Sequence, residues 1–318
     1  YYYIHTKISF YLKSNGYILN NNNNVVSLEL SRFHVLTDKY IYNNYTYKLK
    51  RNKTAMIGLV IVVVMVFIAV FAPVLAPYDP NEIHPLDAFL KPFSEGHIFG
   101  TDQFGRDLLS RVIYGARVSL IVAAGGTLVG GVIGVLLGLI AGFMGGIVDS
   151  VIMRIMDGFL SFPFVLLSII LMTVLGQGLI NVIIAIGIGN IPSFARVVRG
   201  EVHIVKNEEY CNACRVIGVS NTRLLFTHIL PNAISPIIVY ATLNVASAII
   251  SEAALSFLGL GIAAPTASWG SILREGKSSL TTAPFVATIS GAFILITVLG
   301  FNLFGDGIRD VLDPKMKQ

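Results

Sequence analysis

Two groups of residues in this sequence have types and spacings that chemistry could use. Asp102, Arg106 and Asp107 set two carboxylates beside a guanidinium, an arrangement open to acid–base work or to calcium. No further ligand cluster accompanies them, so their plainer role is to cap the helix that follows and to fix a loop. Cys211-x-x-Cys214, with His203 and His228 nearby, invites a redox or metal reading. That spacing fits no common zinc pattern. On a helix it merely puts both thiols on one face, so packing in a reducing compartment is the expectation. The chain contains no H-E-x-x-H, no G-x-S-x-G and no G-x-x-x-x-G-K-[ST], so neither a hydrolase nor a nucleotide-binding loop is supported.

The elements that must position these residues are mostly apolar. Of 318 residues, 54% are hydrophobic and only 13% charged, about half the charge of a soluble domain. The apolar residues come in runs, and Met56 to Pro77 carries no charge at all. At 1.5 Å rise per residue such a run crosses a hydrocarbon core of roughly 30 Å. Six spans are predicted, near 56–77, 118–142, 158–175, 179–198, 233–258 and 284–305, the third and fourth joined by a turn at Gly176-Gln177-Gly178. The fold class is therefore all-α, polytopic, with six transmembrane helices. Two cysteines exclude a secreted disulfide framework.

Of the 23 Lys and Arg, all but Lys91, Arg106, Arg111, Arg117, Arg274 and Lys277 fall on the side that holds both termini, which places both termini in the cytoplasm. Residues 1–46 are rich in Asn and Tyr, with five asparagines in a row from Asn20, and read as a poorly ordered arm or as sequence not native to the mature protein, with no signal peptide expected. The predicted layout continues with a lead-in and first span over 47–77 and an outer loop over 78–117. A five-helix core follows over 118–306, then a tail over 307–318. In the second span Gly126, Gly130, Gly134, Gly138, Gly142 and Gly146 recur every four residues, a stripe along which a neighbouring backbone packs closely.

Two charged features lie within or beside the spans. Glu252 falls in the outer part of the fifth, where an ionisable group is by default a functional candidate. It faces a translocation path, pairs with a cation such as an outer-loop Arg, or sits at the lipid interface. Arg154 and Asp157, one turn apart, read as an ion pair on one helix face.

Between the fourth and fifth spans lies a segment too polar for lipid and too patterned to be slack, Asn207 to Asn232. Nothing breaks a helix from Val202 to Ile217. Gly218 then interrupts, Ser220 is placed to cap a second short helix over Asn221–Ile229, and Pro231 ends it. Val216, Ile217, Val219, Leu224, Leu225, Ile229 and Leu230 pack on each other or into a partner's groove. The segment is expected to act as a handle.

These residues carry a resemblance. Asn212-Ala213-Cys214, Gly218 and Leu230-Pro231 stand at the spacing of the EAA loop of binding-protein-dependent ABC importer permeases, here spanning 199–231. Asn212 replaces the usual Glu, Cys214 an Ala, and His228 an Ile; Glu208 and Glu209 lie one turn earlier. GTDQFGRDLLSRVIYGARVSL (Gly100–Leu120), SEAALSFLGLG (Ser251–Gly261) and Trp269-Gly270 resemble signatures of the dipeptide, oligopeptide and nickel branch. RNKTAMIGL (Arg51–Leu59) and PYDP (Pro77–Pro80) resemble its "C" member.

What the resemblance implies is a type I importer permease fold in a bacterial or archaeal inner membrane. Its partners are a homologous second permease, two P-loop ATPase subunits that use ATP, an extracytoplasmic substrate-binding protein and lipid. No cofactor, metal or nucleic acid is expected on this chain, and no enzymatic activity. It assigns ATPase coupling to Glu209, Asn212, Ala213, Gly218, Ser220, Arg223, Leu230 and Pro231, and an outer-loop signature to Gly100, Asp102, Gly105, Arg106 and Asp107. Glu252 belongs to a signature, which favours a structural pairing over substrate contact. The substrate is a di- or oligopeptide, with nickel or its chelate the alternative. A carrier driven by an ion gradient is the rival from another class, and would show inverted repeats and discontinuous helices. An ATP-driven importer is expected to keep its uptake when the membrane potential is collapsed at constant ATP, as radiolabelled-substrate uptake would read; loss of uptake would favour the carrier.

Overall fold

The computed structural model describes Tyr47 and residues 49–312. The expected arm at 1–46 and the last residues of the tail lie outside the described residues. Eleven α-helices are present among the described residues: α1 (Lys53–Val70), α2 (Ala72–Leu75), α3 (Leu108–Met144), α4 (Gly146–Leu160), α5 (Phe164–Leu175), α6 (Leu179–Lys206), α7 (Glu209–Val216), α8 (Asn221–Arg223), α9 (Leu230–Phe257), α10 (Trp269–Lys277) and α11 (Pro284–Leu312). A π-helical turn, Leu224–Ile229, joins α8 to α9 without a break.

Five helices are long and apolar enough to cross a membrane, and a sixth crossing exists if α4 and α5 together form one span. The predicted third span is thus corrected. Its apolar run conceals a break at Ser161-Phe162-Pro163, where the axis turns by 87°. The cause is Pro163, since the residue before a proline is pushed out of helical backbone angles. Alone, the 12 residues of α5 rise only about 18 Å. The Arg154–Asp157 pair is corrected too: Asp157 accepts from Arg196 Nη2 on α6 at 2.8 Å. Asp149 of α4 takes Arg199 in a two-pronged pair at 2.5 and 2.6 Å.

Helix starts follow the chemistry of their caps. Asn52 accepts from Ala55 N–H at 3.1 Å to open α1, and Asp107 accepts from both the N–H and the hydroxyl of Ser110 at 2.7 Å to open α3. α3 is 37 residues long, far more than a bilayer needs, and begins ten residues before the predicted span. It ends at Gly145 and Gly146, both at positive φ, which only glycine adopts without strain.

The interface of α3 with α6 is the most extensive in the bundle, and the glycine stripe forms it. A Cβ added at Gly130 would lie 2.7 Å from Gly187 O, at Gly134 2.7 Å from Ile191 O, and at Gly142 2.8 Å from Val202 Cβ. Gly126 and Gly138 meet Ile186 and Val198 in the same way. Gly146, the sixth of the series, has open space around it and belongs to the turn. α1 packs by similar means on α11, where Gly58 abuts Gly300 O. Its other side exposes Val60, Val63, Val64 and Phe67, as a lipid-facing helix should.

Gly134→Leu is expected to overpack the seam and cost roughly 1–3 kcal/mol of stability. Gly158→Ala, where no atom lies within 4 Å of the added carbon, is expected to be neutral or slightly stabilising. Thermal unfolding of the detergent-purified variants followed by size-exclusion recovery checks both.

Candidate functional site

The handle grows out of the last turns of α6. Val202 and Val205 point into a cluster with Leu139 of α3, Cys211, Leu224, Ile229, Ala233 and Ile237. The predicted unbroken helix over Val202–Ile217 is corrected: α6 stops at Lys206, and α7 begins at Glu209. At the break, Asn207 Nδ2 turns back onto His203 O at 2.9 Å, the local competition for a carbonyl by which Asn ends helices. Lys206 Nζ reaches the free carbonyl of Phe143 at the end of α3 at 2.6 Å, tying the handle to the seam.

Gly218 has φ +81, and nothing lies within 4 Å of where its Cβ would be. Its glycine is required by the backbone angle, not by a close approach. Ser220 stands at the N-cap position with an extended backbone, but its hydroxyl makes no capping bond.

Pro231 does not end the helix, contrary to expectation. The preceding turn widens so that Leu230 N–H donates to Leu225 O, five residues back. The wider winding makes room for the proline ring, which in α geometry clashes with the carbonyl four residues earlier. The second half of the handle is therefore the first part of α9, and moves with it as one rod.

The seven predicted apolar residues divide. Leu224 and Ile229 are fully buried, while Val216 is 88% and Ile217 77% exposed at the tip. Glu209, Asn212, Ala213, Gly218, Ser220, Arg223 and Pro231 are all exposed, and Leu230 is half-buried. Cys211 is buried, with Sγ 3.3 Å from Val205 O. Burial pushes its thiol above the usual range, as expected of an inert packing cysteine. Among the described residues no three His, Cys, Asp or Glu side chains are grouped to hold a metal.

At the other end of α3 the loop residues form a buried ionic latch. Asp102 accepts from the N–H groups of Phe104 (2.8 Å) and Arg106 (3.1 Å) and from Arg106 Nε at 2.7 Å. Arg106 and Arg111 both donate to Glu275 of α10, at 2.7 and 3.0 Å. Asp107 holds His97 at 2.9 Å as well as capping α3. Gly100 and Gly105 make the two left-handed turns this requires, at φ +77 and +73. The capping and loop-fixing role expected of Asp102, Arg106 and Asp107 is what the geometry shows. Arg111 and Glu275 were not foreseen, because no spacing rule joins partners 164 residues apart.

Glu252 is fully buried inside the bundle, accepting from Ser119 Oγ of α3 at 2.8 Å and Ser256 Oγ at 2.7 Å. It pairs with no cation among the described residues and does not lie at a lipid-facing surface, which corrects two of its three expected settings. Three further polar groups were missed: Thr127, Asn190 and Asn244, buried in the middle of α3, α6 and α9. Amides within apolar runs were the available signal.

The fold is thus a helical bundle with five or six apolar spans, close-packed along a glycine seam, with a two-part polar handle joined to two of them. Residues 134–318 match the binding-protein-dependent transport system inner membrane component family, and 46–92 match the N-terminal transmembrane domain of oligopeptide transport permease C. The chain is 46% identical over 273 residues to the dipeptide transport system permease protein of Alkalihalophilus pseudofirmus, covering 85% of this chain and 88% of that one. It is 46% identical over 270 residues to the glutathione transport system permease protein of Salmonella typhimurium, covering 85% and 89%. A protein of the latter name from Escherichia coli O6:K15:H31 is 43% identical over 276 residues, covering 87% and 91%. The chain belongs to the binding-protein-dependent transport family, as a multi-pass inner-membrane permease of the ABC importer type that works with ATPases and a binding protein.

Truncating the latch tests its weight. Arg111→Ala leaves Glu275 and Asp102 short of a buried partner and is expected to cost about 3–5 kcal/mol. Thermal stability of the purified chain would read this as a marked loss. A variant as stable as the parent would show the latch to be dispensable.

Proposed function

We propose that this chain is one half of the channel of an ATP-driven importer for di- or oligopeptides, the other half being a homologous permease. The observation that carries the reading is the handle. Its exposed tip at Val216 and Ile217 is free for a groove on another protein, while its two roots are continuous with, or docked against, α6 and α9. An ATPase subunit that closes on ATP would pull Glu209, Asn212, Ala213, Gly218, Ser220 and Arg223, with Leu230 and Pro231 transmitting the motion into α9. With two ATPase subunits and two permeases, each handle has one groove.

The peptide assignment draws on the dipeptide and glutathione permeases among the relatives. This chain binds no nucleotide, metal or other cofactor and catalyses no reaction of its own, ATP being hydrolysed on the partners. Both termini and the handle lie in the cytoplasm, on the distribution of Lys and Arg. The latch at Gly100, Asp102, Gly105, Arg106 and Asp107 then faces outward, where it holds rigid the surface on which the binding protein delivers substrate. Glu252, held by Ser119 and Ser256, joins α3 to α9 inside the bundle, a structural role. The broken α4–α5 pair is a feature an ion-driven carrier would share, and the family decides between the two readings.

Gly218→Asp is expected to leave the complex assembled in the membrane but to sever transport from ATP hydrolysis, because an acidic side chain at φ +81 strains the turn and alters the tip. Uptake in reconstituted vesicles should fall at least tenfold while ATPase activity persists. Normal uptake by this variant would sink the lever.

A further inference from the structure

The buried polar groups left over by the lever reading lie at one depth on three helices. Thr127 Oγ1 of α3 donates to Asn244 Oδ1 of α9 at 3.1 Å. The rings of Phe194 and Tyr240 meet edge to face at 4.7 Å between α6 and α9, and one turn further along each helix stand Asn190 and Asn244. Asn190 Cβ lies 2.8 Å from where a Cβ at Gly130 would be, less than one turn from Thr127. Asn190 is 9% exposed, and its Nδ2 has no hydrogen-bond partner among the described residues. An amide donor left unpaired in a buried position is costly and calls for an explanation.

The surroundings supply one. α3 and α6 are locked by backbone-to-backbone packing along the glycine seam, whereas α9 contains no glycine and meets them through side chains. The handle joins α6 to α9, so any pull on it displaces α9 relative to the locked pair. We propose that Asn244 exchanges hydrogen-bond partners during transport, held by Thr127 in this conformation and by Asn190 in the alternate one. Asn190 and Asn244 are positioning residues: each of two settings of α9 is held by one amide bond, and the donor unpaired here is paired in the other. This inference rests on the handle being the driven lever.

The test uses the whole importer complex in a Cys211→Ala, Cys214→Ala background. Two cysteine pairs are introduced separately, Thr127→Cys with Asn244→Cys and Asn190→Cys with Asn244→Cys. Oxidative cross-linking is then measured without nucleotide and after vanadate trapping. The first pair should cross-link in one state and the second in the other, each by at least about fivefold over the opposite state. With Thr127 and Asn244 intact, Asn190→Leu should slow ATP-driven uptake by at least about fivefold, and Asn190→Gln should restore it. Equal yields in both states, in a complex that imports and hydrolyses ATP, would overturn the exchange, as would an Asn190→Leu complex with Asn244 intact that imports at the parental rate. If Asn190→Leu blocks assembly, the two pairs decide alone. Spin labels on the handle that keep the same distance in both states would instead sink the lever reading.

Discussion

In lipid there is no hydrophobic gain from pressing two apolar helices together, so close association has to come from dispersion and from hydrogen bonds. The seam between α3 and α6 answers that constraint. Five glycines at four-residue intervals bring the backbones near enough that an added carbon at most of them would fall inside 3 Å of the neighbour. Everything else in the molecule is referred to this pair. The loop latch fastens to the first turns of α3, the handle is pinned to its last carbonyls through Lys206, and α9 packs along both helices. A rigid pair of this kind provides a fixed frame against which a third helix can move.

Polar residues within the bundle fall into two kinds. At the latch, charge is neutralised by charge: Asp102, Arg106, Arg111 and Glu275 form a closed set. Deeper, a carboxylate is held only by serine hydroxyls at Glu252, and amides and a threonine share the middle. The first kind fixes one arrangement firmly, because breaking any member strands another. The second kind consists of one or two bonds to uncharged side chains, which are more readily exchanged than a closed ionic set. Rigidity at the latch end and adjustability near the middle are thus written in different chemistry.

Much of this was readable in the sequence, for reasons that differ by element. The seam announced itself because a four-residue period survives in one dimension what it means in three. The handle was readable because Gly218 and Leu230-Pro231 stand at fixed offsets. What escaped depended on distance or on alternatives to the α-helix. Glu275 meets Arg111 across 164 residues with no pattern to join them. Pro163 was visible but sat within a run apolar enough to hide the break. Pro231 was taken as a stop, whereas a π turn absorbs it, and propensity arguments carry no term for that. Asn207 ends α6 by a side-chain bond that only the folded backbone reveals.

The π turn over Leu224–Ile229 has a consequence for how such chains diversify. A π turn is an α-helix with one residue added, and one residue corresponds to about 100° of rotation. Deleting a single residue there would restore ordinary winding and swing the whole handle roughly a quarter turn about the axis of α9. The direction in which the tip points is therefore set by chain length at this one place, independently of which side chains the tip carries. Drift by insertion or deletion at this joint would re-aim the tip toward a differently shaped partner, provided that the packing of Leu224 and Ile229 against α3 and α6 is rebuilt with it.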